Sequence, residues 1–344
     1  MTQERRQISP PRDCTFEKND WSILSRHWFP IALMTEVTDR PVAARLLDVE
    51  LVIFRSADGL VVARDLCPHR GMRLSCGWVD HGQIICPYHG LHFAADGRCT
   101  SIPSQPDARL SARLSLTVLP CLERFGLIWT TLAGEAEHLP SFEAWHKEGF
   151  QQIVCDPIDI AGSSGRQLEG FLDVAHFAWA HTGTFGRRAN PVVPEYTVEK
   201  TESGLRVVYV SDVSNYGADQ HHRAPADFQW RRTFQVFPPF SASLIVDYPQ
   251  SKQLWILNAA CPISARQTRL FCPLARNFDL DIPAQAVREW NYRVFNEDRM
   301  LVENQKPEDL PLDFGSEVSI PADRTSVEYR RLLRQIGLSL IYAG

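Results

Sequence analysis

Residues 66–93 read LCPHRGMRLSCGWVDHGQIICPYHGLHF. The stretch holds two short clusters, Cys67-Pro68-His69 and Cys86-Pro87-Tyr88-His89, with sixteen residues between them. Each pairs one thiol with one imidazole, and each is followed within two residues by a glycine, Gly71 and Gly90. Proline and glycine fix tight loops and let backbone approach a bulky inorganic group. Two thiols and two imidazoles so arranged point to a metal.

Two metals compete for this set. A structural zinc ion accepts two cysteines and two histidines, but the common finger orders them as a Cys pair followed by a His pair. Here the order is Cys-His, then Cys-His. In a Rieske [2Fe–2S] centre one iron keeps two thiolates and the other takes two imidazoles, so each loop supplies one ligand to each iron. Two loops joined by a hairpin fit the second pattern. Zinc stays as the alternative, and four unliganded core residues as the bland one.

The chain has 344 residues, too many for one small cluster-binding module and enough for two domains at ~100–200 residues each. It is 44% hydrophobic and 22% charged, ordinary for a globular protein with a sizeable core. A net charge of −5 gives no reason to expect nucleic acid as a partner. No stretch reaches the ~18 apolar residues of a membrane span, and MTQERRQISPPRDC lacks the apolar core of an export signal. The nine cysteines therefore read as reduced thiols of a cytoplasmic protein. Cys76 and Cys99, flanking the cluster hairpin, are not expected to pair.

Residues 1–19 are polar and proline-containing and read as a loose tail. HWFPIAL, ARLLDVELVIFRS and GLVVARDL then read as strands of an antiparallel meander, and HFAADGRCT and LERFGLIWTTL continue it past the cluster loops. Residues 20–134 thus form an all-β module. A polar linker, AGEAEHLPSFEAW, opens a second region, 135–344, in which GLRVVYVSDVS, FQWRRTFQVF, SASLIVDYP, KQLWILNAACPI and RLFCPLARNF read as consecutive antiparallel strands. A helix is expected from about Ile282 to Gln305, ended by Lys306-Pro307, and another after Asp323.

A second metal site is suggested by GRQLEGFLDVAHFAWAHTGTFG, which contains Glu169, Asp173, His176 and His181. On one helix, Asp173 and His176 share a face. His176 and His181 are five residues apart, a rotation of about 140° on an ideal helix, so both reach one ion only if the helix is distorted or ends near Thr182-Gly183-Thr184. The late helix adds Asp298, in an apolar stripe of Val287, Trp290, Val294 and Leu301, with Glu297 at its margin and Glu303 on the opposite side. A carboxylate on a buried face needs a metal or a partner. Its bland partner would be an arginine such as Arg293 or Arg299, or one from the sheet. Two histidines and one carboxylate with open positions make the facial triad of non-haem Fe(II) oxygenases, and a one-electron carrier nearby needs an acceptor.

With both motifs in this order, the sequence resembles the Rieske non-haem iron oxygenases, oxygenase (α) component, over nearly its whole length. It is most similar to the vanillate O-demethylase and caffeine N-demethylase type. The resemblance implies an α+β chain: an N-terminal all-β Rieske [2Fe–2S] domain and a helix-grip catalytic domain, usually in a homotrimer. It implies that Cys67, His69, Cys86 and His89 hold the cluster and that His176, His181 and Asp298 hold Fe(II). Asp173 matches an aspartate linking a cluster histidine of one subunit to an iron-ligand histidine of the next. Many members carry asparagine three residues before that aspartate; this chain has Gly170.

The implied activity uses O2 and electrons from NAD(P)H, passed through a separate reductase or ferredoxin, to hydroxylate a small aromatic or heterocyclic substrate. Hydroxylation of an N- or O-methyl group would release formaldehyde; ring cis-dihydroxylation is the alternative. An electron-transfer protein with a binding domain is the reading from another class, and it leaves His176, His181 and Asp298 unexplained. Arg64, Arg70 and Arg73 are candidates for docking the reductase or plain surface charges. His221 and His222 read as a loop pair, and Trp230, Phe240 and Trp255 as pocket lining or core.

Overall fold

Short β-branched segments punctuated by turns build the first part of the chain, as the pattern requires. Helix α1 (Lys18–Leu24) precedes β1 (Phe29–Leu33); β2 (Val42–Leu46), β3 (Val49–Ser56) and β4 (Gly59–Arg64) follow as a meander. The computed structural model describes residues 8–133 and 139–342, and the chain divides into two units, 1–138 and 139–344. The expected boundary at 134/135 falls among residues outside those described.

The run ARLLDVELVIFRS, expected as one strand, is two. It turns at Leu47 and Asp48, whose φ angles are 50° and 64°, a left-handed conformation that costs an L-residue roughly 1–2 kcal/mol. Burial of Leu47 offsets this, as do the bonds that Asp48 accepts from Thr15 N (2.8 Å), Thr15 Oγ1 (2.7 Å) and Arg45 Nη2 (2.7 Å). The same contacts change the reading of the N-terminal stretch. Its described part, 8–19, is anchored by Thr15 and by buried Ile8 and Phe16.

A second small sheet follows the order β5 (Trp78–Asp80), β6 (Gln83–Ile85), β7 (His92–Phe93), β8 (Cys99–Ser101). One cluster loop precedes β5 and the other joins β6 to β7. Strand β9 (Val118–Leu119) pairs with β4, while β11 (Leu127–Thr130) pairs with β10 (Cys121–Arg124) on one side and β1 on the other. Val52, Phe54, Ile84 and Phe93 form the core on which both loops rest.

The second unit is an antiparallel sheet with helices packed on it. Strands β12 (Gln151–Val154) and β13 (Ile158–Ile160) come first. After α2 (Ser164–Leu172) and α3 (Phe177–Ala180) follow β14 (Thr197–Thr201), β15 (Gly204–Ser211), β16 (Trp230–Phe237), β17 (Ser241–Tyr248), β18 (Lys252–Ser264), β19 (Gln267–Phe271) and β20 (Pro273–Arg276). The run RLFCPLARNF thus splits at Cys272. Strand β18 is long enough for its first half to pair with β20 and its second with β19, and β13 extends the β19 edge. Its central residues, 254–262, are all buried, because α2 covers it.

Helix α4 (Ala284–Asn304) starts directly after Pro283, where proline is tolerated. Its buried stripe is Asn291, Phe295 and Val302; Leu301, expected in that stripe, is exposed. Asp298 sits between Phe295 and Val302 on the inward face. Glu303, expected to face away, accepts from Ala161 N at 3.0 Å. Helix α5 (Arg324–Gln335) packs on α2, β14 and β15. Glu169 is not among the residues whose ligand atoms converge. With Glu317 it holds the guanidiniums of Arg166 and Arg330, an ion cluster that ties α2 to α5 and to the segment after α4. No described helix is long and apolar enough to cross a membrane.

Candidate metal centres

The two cluster loops fold alike. Cys67 N donates to Met72 O (2.8 Å) and Gly71 N to Cys67 O (2.9 Å); Cys86 N donates to Leu91 O (2.9 Å) and Gly90 N to Cys86 O (3.0 Å). Each loop therefore returns to its own cysteine through a glycine of positive φ, 71° at Gly71 and 67° at Gly90. Cys67 and Cys86 are buried, whereas His69 and His89 are exposed. The two imidazole rings lie 4.7 Å apart, and Tyr88 stacks on His89 at 3.9 Å. Burial, with Cys86 alongside, pushes the Cys67 thiol up to about 11; a metal that replaces the proton removes that penalty. Buried thiols and outward imidazoles fit a centre with one iron inside and one at the surface.

The second site forms where the helix breaks. Asp173 N bonds back to Glu169 O and Gly170 O, closing α2, and the Asp173 backbone then turns extended, with ψ 132°. Its Oδ1 accepts from Ala175 N (2.7 Å), which holds the bend until α3 begins after His176. The helical stretch read in GRQLEGFLDVAHFAWAHTGTFG is therefore two helices, and this break removes the 140° conflict. His176 ends one side of the bend and His181 caps the next turn.

Three atoms converge there. His176 Nε2 lies 3.0 Å from His181 Nε2, and Asp298 Oδ1 lies 3.3 Å and 3.2 Å from them. A metal with bond lengths of roughly 2.1–2.2 Å has neighbouring ligands about 3.0 Å apart on an octahedral face and about 3.5 Å apart in a tetrahedron. The observed edges average about 3.2 Å, nearer the octahedral face. Asp298 Oδ1 is buried yet accepts no hydrogen bond, which leaves its lone pairs for an ion. Among the described residues no arginine bonds it: Arg299 lies 3.7 Å from Glu303, and Arg293 stacks on Trp290. Burial alone would raise the Asp298 carboxyl, but the two imidazoles hold it well below the usual carboxylate range. Burial alone would lower His176, but Asp173 and Asp298 raise it to about 9. The field that retains a proton on these imidazoles equally favours a divalent cation. Among the described residues, these three are the one group of this kind that meets on a point.

Glu297, placed at the stripe's margin by the sequence, is part of the site. Its Oε2 lies 2.9 Å from His181 Nδ1 and accepts from Thr184 Oγ1 (2.7 Å), and its Oε1 accepts from Gly183 N (3.1 Å). A Cβ at position 183 would fall 2.6 Å from Glu297 Oε1, so glycine permits the approach. The signal was the adjacent Glu-Asp pair, each 100° apart on the helix, one for the ion and one for its ligand. Asp173 Oδ2 is 3.6 Å from His176 Nδ1, beyond a hydrogen bond. Gly170 faces Val302, 3.6 Å from its Cγ2.

The three atoms open into a chamber of about 60 Å3, walled by Phe171, Phe177, Phe185 and Arg232. A cavity of about 260 Å3 adjoins it, sharing Asn215, Leu254, Trp290 and Asn291 and lined further by Tyr216, Tyr248 and Phe278. Trp230, Phe240 and Trp255 line neither. His221 and His222 lie in the short turn Ala218–Arg223 and are not in the converging group. Cys76 and Cys99 are unpaired. Arg73 is bound to Asp65.

Residues 27–123 match the Rieske [2Fe-2S] domain, and residues 161–338 match the vanillate O-demethylase oxygenase C-terminal domain. The chain belongs to the Rieske non-haem iron oxygenases. This oxygenase is 30% identical to methylxanthine N1-demethylase NdmA of Pseudomonas putida, covering 92% of this chain and 91% of that one. It is 26% identical to methylxanthine N3-demethylase NdmB of the same organism, over 94% and 92%. The solved structure of NdmA with caffeine superposes with a TM-score of 0.81 at 29% identity, over 92% of each chain. The oxygenase accordingly uses a Rieske [2Fe–2S] cluster and Fe(II), and it is an oxidoreductase that incorporates oxygen from O2.

Proposed function

We propose that this chain is the terminal oxygenase of an oxidative demethylase. O2, two electrons and two protons convert an N- or O-methyl group of a small aromatic or heterocyclic substrate to hydroxymethyl and water. The hydroxymethyl group then leaves as formaldehyde. Electrons come from NAD(P)H through a separate reductase or ferredoxin. Cys67, His69, Cys86 and His89 would hold the cluster, and His176, His181 and Asp298 the Fe(II), which when bound supplies the oxygen activation.

The observation that carries this reading is the size of the inner chamber. At about 60 Å3 it is well below the roughly 150 Å3 cavity that takes a benzene ring. A methyl group fits beside the three ligand atoms, while its ring stays in the adjoining cavity among Tyr216, Tyr248 and Trp290. Ring dihydroxylation would need the ring itself in the chamber. Phe177 and Phe185 exclude water, and Glu297 keeps the proton of His181 on Nδ1, so that Nε2 presents a lone pair.

Asp173 is the proposed link to the cluster of a neighbouring subunit in a homotrimer. Its side chain is partly exposed beside His176, which leaves an oxygen for a partner's histidine. The test is a panel of methoxy- and N-methyl-substituted aromatics, supplied with a surrogate reductase and assayed for formaldehyde. Formaldehyde matched to demethylated product supports the reading; a cis-diol without formaldehyde replaces it with dihydroxylation.

A further inference from the structure

Arg232, on β16, is 1% exposed and forms part of the wall of the metal chamber. Its Nη2 is used: it donates to Val213 O (3.0 Å), Ser214 O (3.4 Å) and Asn215 Oδ1 (3.2 Å). Its Nη1 is buried and has no hydrogen-bond partner. The guanidinium carbon stands 5.2 Å over the Phe177 ring, next in sequence to His176.

The other buried arginines have anions. Arg166 and Arg330 share Glu169 and Glu317, and Arg276 has Asp279 and Asp281 nearby. Around Arg232 the ionisable neighbours that bear on it are the phenols of Tyr209 and Tyr248. Burial lowers its guanidinium to about 10, which still leaves it charged at neutral pH. A buried cation lacking a counter-ion is strongly unfavourable, and an unsatisfied Nη1 adds to that. The carboxylates nearest the chamber, Asp298 and Glu297, face the two imidazoles, and neither bonds Arg232.

We propose that Arg232 anchors the substrate, and that the substrate is a small aromatic acid whose carboxylate accepts from Arg232 Nη1. Asn215 supports the placement. It bonds Arg232 through Oδ1 and donates from Nδ2 to Tyr248 Oη (2.7 Å), and it forms wall of both cavities, so the carboxylate sits at their junction with the ring outward and the methyl inward. The inference deepens the demethylase reading and rests on it for the methyl group alone.

The test is anaerobic calorimetric titration of the holoenzyme with 3-methoxybenzoate, its neutral isostere 3-methoxybenzamide, and caffeine. The acid should bind at least about tenfold tighter than the amide, the factor of one charge-assisted hydrogen bond. Arg232→Gln should erase that advantage, and Arg232→Lys should keep part of it, raising KM for the acid more than it lowers kcat. Equal binding of acid and amide by the unaltered protein, tighter binding of caffeine, binding of no probe, or an acid preference that survives Arg232→Gln would each overturn it. The comparison in the unaltered protein stands even if the variants fail to fold. Arg232-dependent acid binding without formaldehyde would sink the demethylase reading and leave the anchor; formaldehyde from neutral substrates without acid preference would do the reverse.

Discussion

Replacing Glu297 should loosen iron without touching the cluster. Metal on His181 Nε2 requires the ring proton on Nδ1, which faces Glu297 Oε2 at 2.9 Å. That bond is charge-assisted, a class worth roughly 1.5–3 kcal/mol. Glu297→Ala removes it and leaves Gly183 N and Thr184 Oγ1 without the acceptor they use now. Loss of such a partner lowers metal affinity about 10–100-fold, equivalent to about 1.4–2.8 kcal/mol. Glu297→Gln should fall between, because its single amide oxygen can serve either His181 or Gly183, and its amide NH2, itself a donor, opposes the other donor. The assay is anaerobic Fe(II) titration against a competing chelator, on protein stripped of its mononuclear iron, with the cluster's visible absorption as internal control. A folded Glu297→Ala protein with Fe(II) affinity within about twofold of the original would refute the argument.

Gly90→Ala puts an L-residue at φ 67° with its Cβ 3.4 Å from Pro103 Cγ, a strain of roughly 1–2 kcal/mol; acid-labile sulfide per chain should drop, and full sulfide content would count against the loop argument. Glu169→Gln leaves Arg166 and Arg330 short of a buried carboxylate, a loss of about 3–5 kcal/mol, which should lower the urea midpoint of the second unit's unfolding. Glu317 is raised by burial but lowered more by Arg166 and Arg330, so its folded value lies below the usual one. The unfolded chain then binds the proton first on acidification. Stability from this pair is present above about pH 4.3 and is lost as pH falls through the depressed value. Glu317→Gln should therefore flatten the acid limb of a melting-temperature profile; an unchanged limb would remove the linkage.

Much of this was legible because the chemistry-bearing residues sit close together in sequence. The Cys-x-His and Cys-x-x-His loops carry their glycines with them, so four ligands and two positive-φ turns could be read at once. His176 and His181 were readable as residues but not as geometry. A periodicity argument assumes one helix, and the break comes from a side chain, Asp173, bonding to backbone two residues on. Glu297 was visible beside Asp298, but a helical wheel cannot say that a loop returns to meet it. Arg232 was not legible. Strand alternation places it inward like any apolar neighbour, and only tertiary packing reveals that, among the described residues, no carboxylate bonds it.

Metal analysis tests the central claim most directly. Anaerobically purified protein should contain about three irons and two acid-labile sulfides per chain, and His176→Ala should fall to about two irons with sulfide unchanged. Two irons in both proteins after Fe(II) supplementation would contradict the mononuclear site, and zinc without sulfide would contradict the cluster itself.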